Sequence, residues 1–299
     1  MDGWQLGNVP VFFNGGEFHY RSAVKIQTRS VDKVFIDAQG QRFTALAGID
    51  LEVNEGEFVS LVGPSGCGKS TLLEILAGLQ QATRGEALVD GAPIDGPGPD
   101  RAVVFQDYAL FPWRTVVDNV AFSFELQGMG KDERRERAGQ YVAQMGMEGF
   151  ENYYIWQLSG GMRQRVGLAR ALACEPSVLL MDEPFGALDA ITRDILQDHL
   201  LGLQAETRKT VVFVTHSVDE ALYLSDRVIV MGTRPGRFLT EFEVGLDRSG
   251  GREQLRALPA YGTLYRDMWA ILSAELRRGG VMAGSQKATA MDVRSDDTP

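Results

Sequence analysis

Apolar and polar positions along this chain fall into short blocks of two kinds. Phe58-Val59-Ser60-Leu61-Val62, Ala102-Val103-Val104-Phe105, Ser177-Val178-Leu179-Leu180-Met181-Asp182 and Thr210-Val211-Val212-Phe213-Val214-Thr215 are nearly continuous apolar runs. Runs of this length predict strands covered on both faces, as in a parallel sheet. Other stretches repeat their apolar residues every three or four positions and predict helices. One runs from Lys69 to Ala77 and is stopped by Gly78; another carries Met162, Val166, Ala169 and Ala173 on one face. Helix and strand alternate over residues 161–231, which implies a parallel α/β sheet. Residues from about 107 to 160 read as helical, with Lys131 to Arg137 as a solvated charged face. Near the end, Leu264, Met268, Ile271, Leu272 and Leu276 predict an amphipathic helix within Ala257 to Arg278, ended by Gly279-Gly280. Ser285 to Pro299 has the composition of a disordered tail. Phe12 to Phe18 predicts either a small hairpin or an extended arm.

The link between the first strand and its helix narrows the chemistry. Gly63-Pro64-Ser65-Gly66-Cys67-Gly68-Lys69-Ser70-Thr71 fits Gly-x4-Gly-Lys-Ser, set between strand and helix as a phosphate-binding loop requires. Glycines let backbone N–H groups curl around phosphate oxygens, and the helix start adds donors and partial positive charge. Lys69 would reach the β- and γ-phosphates of a nucleoside triphosphate, and the Ser70 hydroxyl would ligate Mg²⁺. Asp182 closes another apolar run and is placed to hold that metal through water. Glu183 follows it and can polarise an attacking water as general base. Without the loop upstream, Asp182-Glu183-Pro184 would read as an ordinary strand-to-loop boundary.

A third run, Leu158-Ser159-Gly160-Gly161-Met162-Arg163-Gln164, lies between the loop and the Asp-Glu pair. In that order the motifs resemble the ATP-binding cassette (ABC) family, over roughly residues 31–245. The resemblance implies a P-loop α/β fold: a mainly parallel core sheet, an antiparallel β subdomain and a helical subdomain at about 107–160. It implies ATP and Mg²⁺ as cofactors. It assigns Gln106 to the Q-loop, as a metal and water ligand that also senses a membrane partner. His216 takes the position of the switch histidine, which touches the γ-phosphate and helps orient water and Glu183. Ser159, Gly160, Gly161 and the D-loop Asp189 would act in trans, on ATP held by a second copy of the chain. An aromatic ahead of the phosphate loop would stack on adenine. Phe35 fits the usual placement, with Phe43 as competitor because Ile36 to Arg42 reads as an insertion.

Phe111-Pro112-Trp113-Arg114-Thr115-Val116, Tyr154-Ile155-Trp156-Gln157-Leu158-Ser159 and Pro184-Phe185-Gly186-Ala187-Leu188-Asp189 look like the nitrate, sulfonate and taurine importer ATPases within that family. This implies two copies of the chain, two transmembrane permease subunits and an extracytoplasmic solute-binding protein. The place implied is peripheral, on the cytoplasmic face of the inner membrane. An exporter ATPase shares the same chemistry and stays open, as does, more remotely, a non-transport cassette ATPase. DNA-repair relatives insert long coiled coils between loop and signature, which the short interval here excludes. Residues 1–30 are then an N-terminal extension and 246–299 a C-terminal helix and tail.

Composition adds bounds. The chain has 299 residues, with 30 basic and 40 acidic side chains and a net charge of −10, which argues against a nucleic-acid surface. It contains no apolar run of about 18 residues that could span a bilayer, and Met1 to Gln5 starts no secretory signal. Two cysteines make no disulfide framework. Cys67 reads as a small filler inside the loop, and Cys174 as a buried residue at the end of the signature helix.

Overall fold

The computed structural model describes residues 4–6, 9–14, 17–20, 23–186 and 188–278. At the N-terminus β1 (Trp4–Leu6), β2 (Val9–Asn14) and β3 (Glu17–Tyr20) pair as a small antiparallel sheet, so the segment around Phe12 to Phe18 forms paired strands.

The next strands, β4 (Val24–Ile36) and β5 (Arg42–Asn54), run antiparallel over most of their length. The residues between them, expected as an insertion, form their turn. There the Asp37 carboxylate accepts from the backbone N–H groups of Gln39 and Gln41. β4 begins at Val24, inside the stretch expected as an extension. Ile26 and Thr28 are buried, and they pair with β5 on one side and on the other with β7 (Arg84–Val89), which continues into β8 (Ala92–Pro93).

The central sheet contains β6 (Phe58–Val62), β9 (Arg101–Val104), β10 (Val178–Asp182), β11 (Thr210–Thr215), β12 (Arg227–Gly232) and β13 (Arg237–Glu243). Their order is β13-β12-β6-β11-β10-β9, parallel except for β13, which returns antiparallel on β12. Alternate residues of the central strands enter two different cores. Phe58, Leu179, Met181, Val211, Phe213 and Val228 join the helical side. Val59, Leu61, Leu180, Val212, Val214 and Ile229 join the side of the antiparallel sheet and of α1 (Lys69–Leu76). Burial on both faces is why these strands are apolar throughout.

On the helical side lie α2 (Val116–Val120), α3 (Phe122–Leu126), α4 (Lys131–Gln144), a 3-10 turn at Ile155–Gln157 and α5 (Gly160–Ala173). Val166, Ala169 and Ala173 of α5 are buried and Met162 is half-buried. Cys174, expected to be buried, is only half-buried because it caps the end of α5. Helices α6 (Ala190–Thr207) and α7 (Val218–Leu224) connect β10 to β11 and β11 to β12. After β13 come α8 (Gly251–Ala257) and α9 (Pro259–Arg278), the latter packed on α7 and β12 with Met268 and Leu272 buried. The doublet Gly279-Gly280 and the tail from Ser285 lie outside the described residues. No described helix is long and apolar enough to cross a membrane.

Candidate active site

Register aligns the carboxyl ends of four neighbouring strands. Met181 pairs with Val104, Asp182 with Val214, and Thr215 with Val62. The residues that follow, Gln106, Glu183, His216 and the loop from Gly63, therefore emerge along one edge, where open α/β sheets place their ligands.

The loop is held by close packing. Gly68 caps α1 with φ of 94°, and a Cβ there would lie 2.6 Å from Leu46 Cδ2. Only glycine combines that dihedral with that approach. Cys67 is fully buried, and burial pushes its thiol up, with the Lys69 charge opposing. Such a thiol is a filler rather than a ready nucleophile. Lys69 is itself buried, and its Nζ donates to the carbonyls of Gly63 (2.7 Å) and Pro64 (3.2 Å). Ser65, Gly66 and Ser70 face solvent, while Thr71 is half-buried.

Asp182 meets this loop from β10. Burial pushes its carboxyl up, the Ser70 hydroxyl pulls it down, the neighbouring Glu183 charge raises it further and Lys69 opposes. A hydroxyl and a carboxylate side by side are hard oxygen donors that fit Mg²⁺. The described residues contain no cluster of three or more His, Cys, Asp or Glu that could cage a metal alone. Mg²⁺ sites commonly complete their shell with water and substrate phosphate instead.

Glu183 has φ of 43°, an uncommon region for a non-glycine residue and one enriched at functional sites. Its N–H donates to Val214 O (3.0 Å), which fixes the turn to the neighbouring strand. Its Oε2 lies 3.1 Å from Nδ1 of His216, the ring roles depending on tautomer. Glu183 is mostly covered and the His216 side chain is 62% exposed, so the imidazole stands outermost. Gln106 is exposed just beyond β9.

The signature residues group elsewhere. Ser159 caps α5, its Oγ accepting from Met162 N (3.3 Å), and Gly160 and Gly161 form the first turn. Gly161 packs on Thr192, where a Cβ would lie 2.5 Å from its Cγ2. Asp189 caps α6, accepting from Thr192 N at 3.0 Å. That bond holds its carboxyl below the usual range. Among the described residues no hydrogen bond joins this group to Lys69 or Asp182. Ala187, the other D-loop position, lies outside the described residues.

Phe35 and Phe43 are directly opposite one another on β4 and β5, on the same face. Lys33 Nζ sits 5.0 Å over the Phe35 ring. Phe43 instead lines a cavity of about 250 Å³ with Pro64, Ser65, Gly66, Arg234 and Glu275. The favoured Phe35 is thus covered by a cation, and its competitor faces the loop. The aromatic runs near α2 form a second open surface. Trp113 and Trp156 are 71% and 67% exposed, and Tyr154 stacks on Trp156 with centroids 6.1 Å apart.

Sequence reasoning missed Glu220. It is buried on α7, accepts from Thr215 Oγ1 and from Gln197 Nε2 (3.1 Å), and faces Arg193 at 3.8 Å. Ser217-x-x-Glu220 does carry a helix-start pattern. The pattern gives no hint that the carboxylate turns back to the strand end.

A doubly wound sheet with a glycine loop, a buried lysine and a carboxylate pair at its carboxyl edge defines a P-loop nucleotide-binding protein. A family profile described as ABC transporter matches residues 46–186. An uncharacterised ABC transporter ATP-binding protein of Methanocaldococcus jannaschii is 53% identical over 80% of this chain and 89% of its own length. A taurine import ATP-binding protein of Burkholderia thailandensis is 50% identical over 75% of this chain and 86% of its own. A solved dimeric ATP-binding cassette in a post-hydrolysis state, bound to ADP and Pi, superposes with a TM-score of 0.67 at 34% identity. It covers 73% of this chain and 98% of that one. The chain belongs to the ABC transporter ATP-binding family, the ATPases that couple ATP hydrolysis to transport.

Proposed function

We propose that this ATPase drives uptake of a small anion such as taurine, an alkanesulfonate or nitrate through separate permease subunits. The observation that carries its chemistry is the convergence of Lys69, Ser70, Asp182, Glu183 and His216 on one sheet edge. The importer reading is supported by likeness to taurine import ATP-binding proteins over most of the chain.

When bound, Mg²⁺ neutralises charge on the β- and γ-phosphates. Ser70 and Asp182 are the residues that would hold it, and Gln106, exposed just past β9, would add a further ligand. The loop N–H groups and Lys69 bind phosphate oxygens, Lys69 exchanging the Gly63 and Pro64 carbonyls for them. Glu183 accepts a proton from the attacking water. His216, in contact with Glu183 Oε2, orients that carboxylate and meets the terminal phosphate. Ser159, Gly160 and Gly161 serve ATP bound to a second copy, as the family likeness implies, and Asp189 joins them at that interface. Two such chains closing on ATP would open again on hydrolysis, because ATP favours the closed state only by binding it more tightly. The exposed Trp113 and Trp156 surface is the face offered to a permease. The protein then works at the cytoplasmic side of the inner membrane, served from outside by a solute-binding protein.

Glu183→Gln tests the chemistry. Turnover falls at least 100-fold while ATP affinity stays within about threefold, since the base is lost and the phosphate cradle is not. Steady turnover near the wild-type rate removes Glu183 from the role. The ligand that co-purifies with the cognate binding protein tests the solute class.

A further inference from the structure

The first turn of α6 touches two of the motifs described above, the D-loop and the signature. Asp189 caps it, Thr192 packs on Gly161 of the signature, and Arg193 donates from Nη2 to Leu188 O (2.9 Å). The other face of the Arg193 guanidinium points at α7. Its Nε is buried, makes no hydrogen bond, and stands 3.8 Å from Glu220 Oε1. Glu220 is one of two buried carboxylates among the described residues, and its second oxygen accepts from Thr215 Oγ1. That same hydroxyl accepts from Ser217 N (3.0 Å), and Ser217 Oγ accepts from Glu220 N (3.3 Å). His216 is therefore bracketed by Thr215, tied to the Glu220 carboxylate, and Ser217, tied to the Glu220 backbone N–H.

We propose that Arg193 and Glu220 are positioning residues that couple the Leu188–Asp189 segment to His216, so that closure against a second copy holds the imidazole in the contact it already makes with Glu183. The proposal rests on the roles given above to Glu183 and His216. The 3.8 Å spacing is about 1 Å longer than a charge-assisted hydrogen bond. A shift of α6 toward α7 by that amount would make the bond and tighten the Thr215–Ser217 bracket. Buried charges need polar partners in any case, and here the partners include the Leu188 carbonyl and the Thr215 hydroxyl. It is these two contacts that reach the interface segment and the end of β11.

The test uses the full chain with Arg193→Ala, Arg193→Lys, Glu220→Gln and the Arg193→Ala/Glu220→Gln double variant. Melting temperature, ATP affinity by titration and kcat are measured for each. The expected result is a roughly tenfold loss of kcat in Arg193→Ala and Glu220→Gln with ATP affinity within twofold. The double variant is no slower than the worse single variant, because residues acting as one unit do not add. Arg193→Lys restores charge and melting temperature but recovers little kcat, since an ammonium cannot fork to both partners. Unchanged kcat in Arg193→Ala overturns the proposal. So do additive losses in the double variant, or a kcat loss that follows melting temperature through the set, Arg193→Lys included. If Glu183→Gln retains turnover, the underlying site assignment fails. If Glu183→Gln is inactive while Arg193→Ala is normal, only the coupling fails.

Discussion

Replacing Gly68 by alanine puts a defined strain into the phosphate loop. At φ of 94° an L-residue is disfavoured by about 1–2 kcal/mol. The new methyl would lie 2.6 Å from Leu46 Cδ2 and 3.0 Å from Ala45 O. Leu46 is fully buried and Ala45 O is backbone, so neither yields freely, and overpacking of this kind costs about 1–3 kcal/mol. The total is roughly 2–5 kcal/mol, and it must appear somewhere. If the loop keeps its shape, the protein loses stability, at about 2–4 °C of melting temperature per kcal/mol. If the loop springs open, stability is spared and ATP affinity falls about 30-fold or more, at tenfold per 1.4 kcal/mol. Differential scanning calorimetry and nucleotide titration on the same preparation measure both shares. A Gly68→Ala protein that melts and binds ATP like the wild type refutes the reasoning.

Three further outcomes are expected. Phe43→Ala weakens ATP binding about tenfold, since base–aromatic stacking is worth about 1–3 kcal/mol, while Phe35→Ala changes it less than threefold; a fluorescent-nucleotide titration giving the reverse order would restore Phe35. Asp182→Asn raises the melting temperature at neutral pH. Burial has lifted the Asp182 carboxyl, so its stabilising share is present below the unfolded carboxylate pKa and lost as pH rises through the folded value. The gain over wild type should therefore shrink as pH is lowered to 4, and a gain constant with pH would point to another cause. Truncation after Arg278, which keeps α9 whole, leaves ATPase activity intact; a large loss in a turnover assay would give the tail a working part.

Much of the fold could be read from the chain because the central strands are buried on both faces. Continuous apolar runs at 58–62, 178–182 and 210–215 can hardly be anything else when Gly63, Glu183 and His216 break them at the right ends. The start of the antiparallel sheet was harder. Val24, Ile26 and Thr28 alternate, but Lys25 and Gln27 between them make the run look like an arm. Lys25 is in fact buried and paired with Asp90 at 2.7 Å, a partner found only once β7 is in place. Phe35 and Phe43 were hard to tell apart in the chain because strand register sets them on the same face, and the lysine over Phe35 comes from two residues away. The setting of Glu220 was hidden because its partners Thr215, Gln197 and Arg193 come from two other elements, β11 and α6.

The end of α9 has a practical meaning. Glu275 accepts from the backbone N–H of Thr233 (2.8 Å) and lines the cavity shared by Phe43 and the phosphate loop. A group attached at Arg278 itself thus sits within a turn of that cavity. A fusion partner or affinity tag placed there without a spacer would crowd the cavity, and the same position offers a handle for an engineered reporter of whether it is filled.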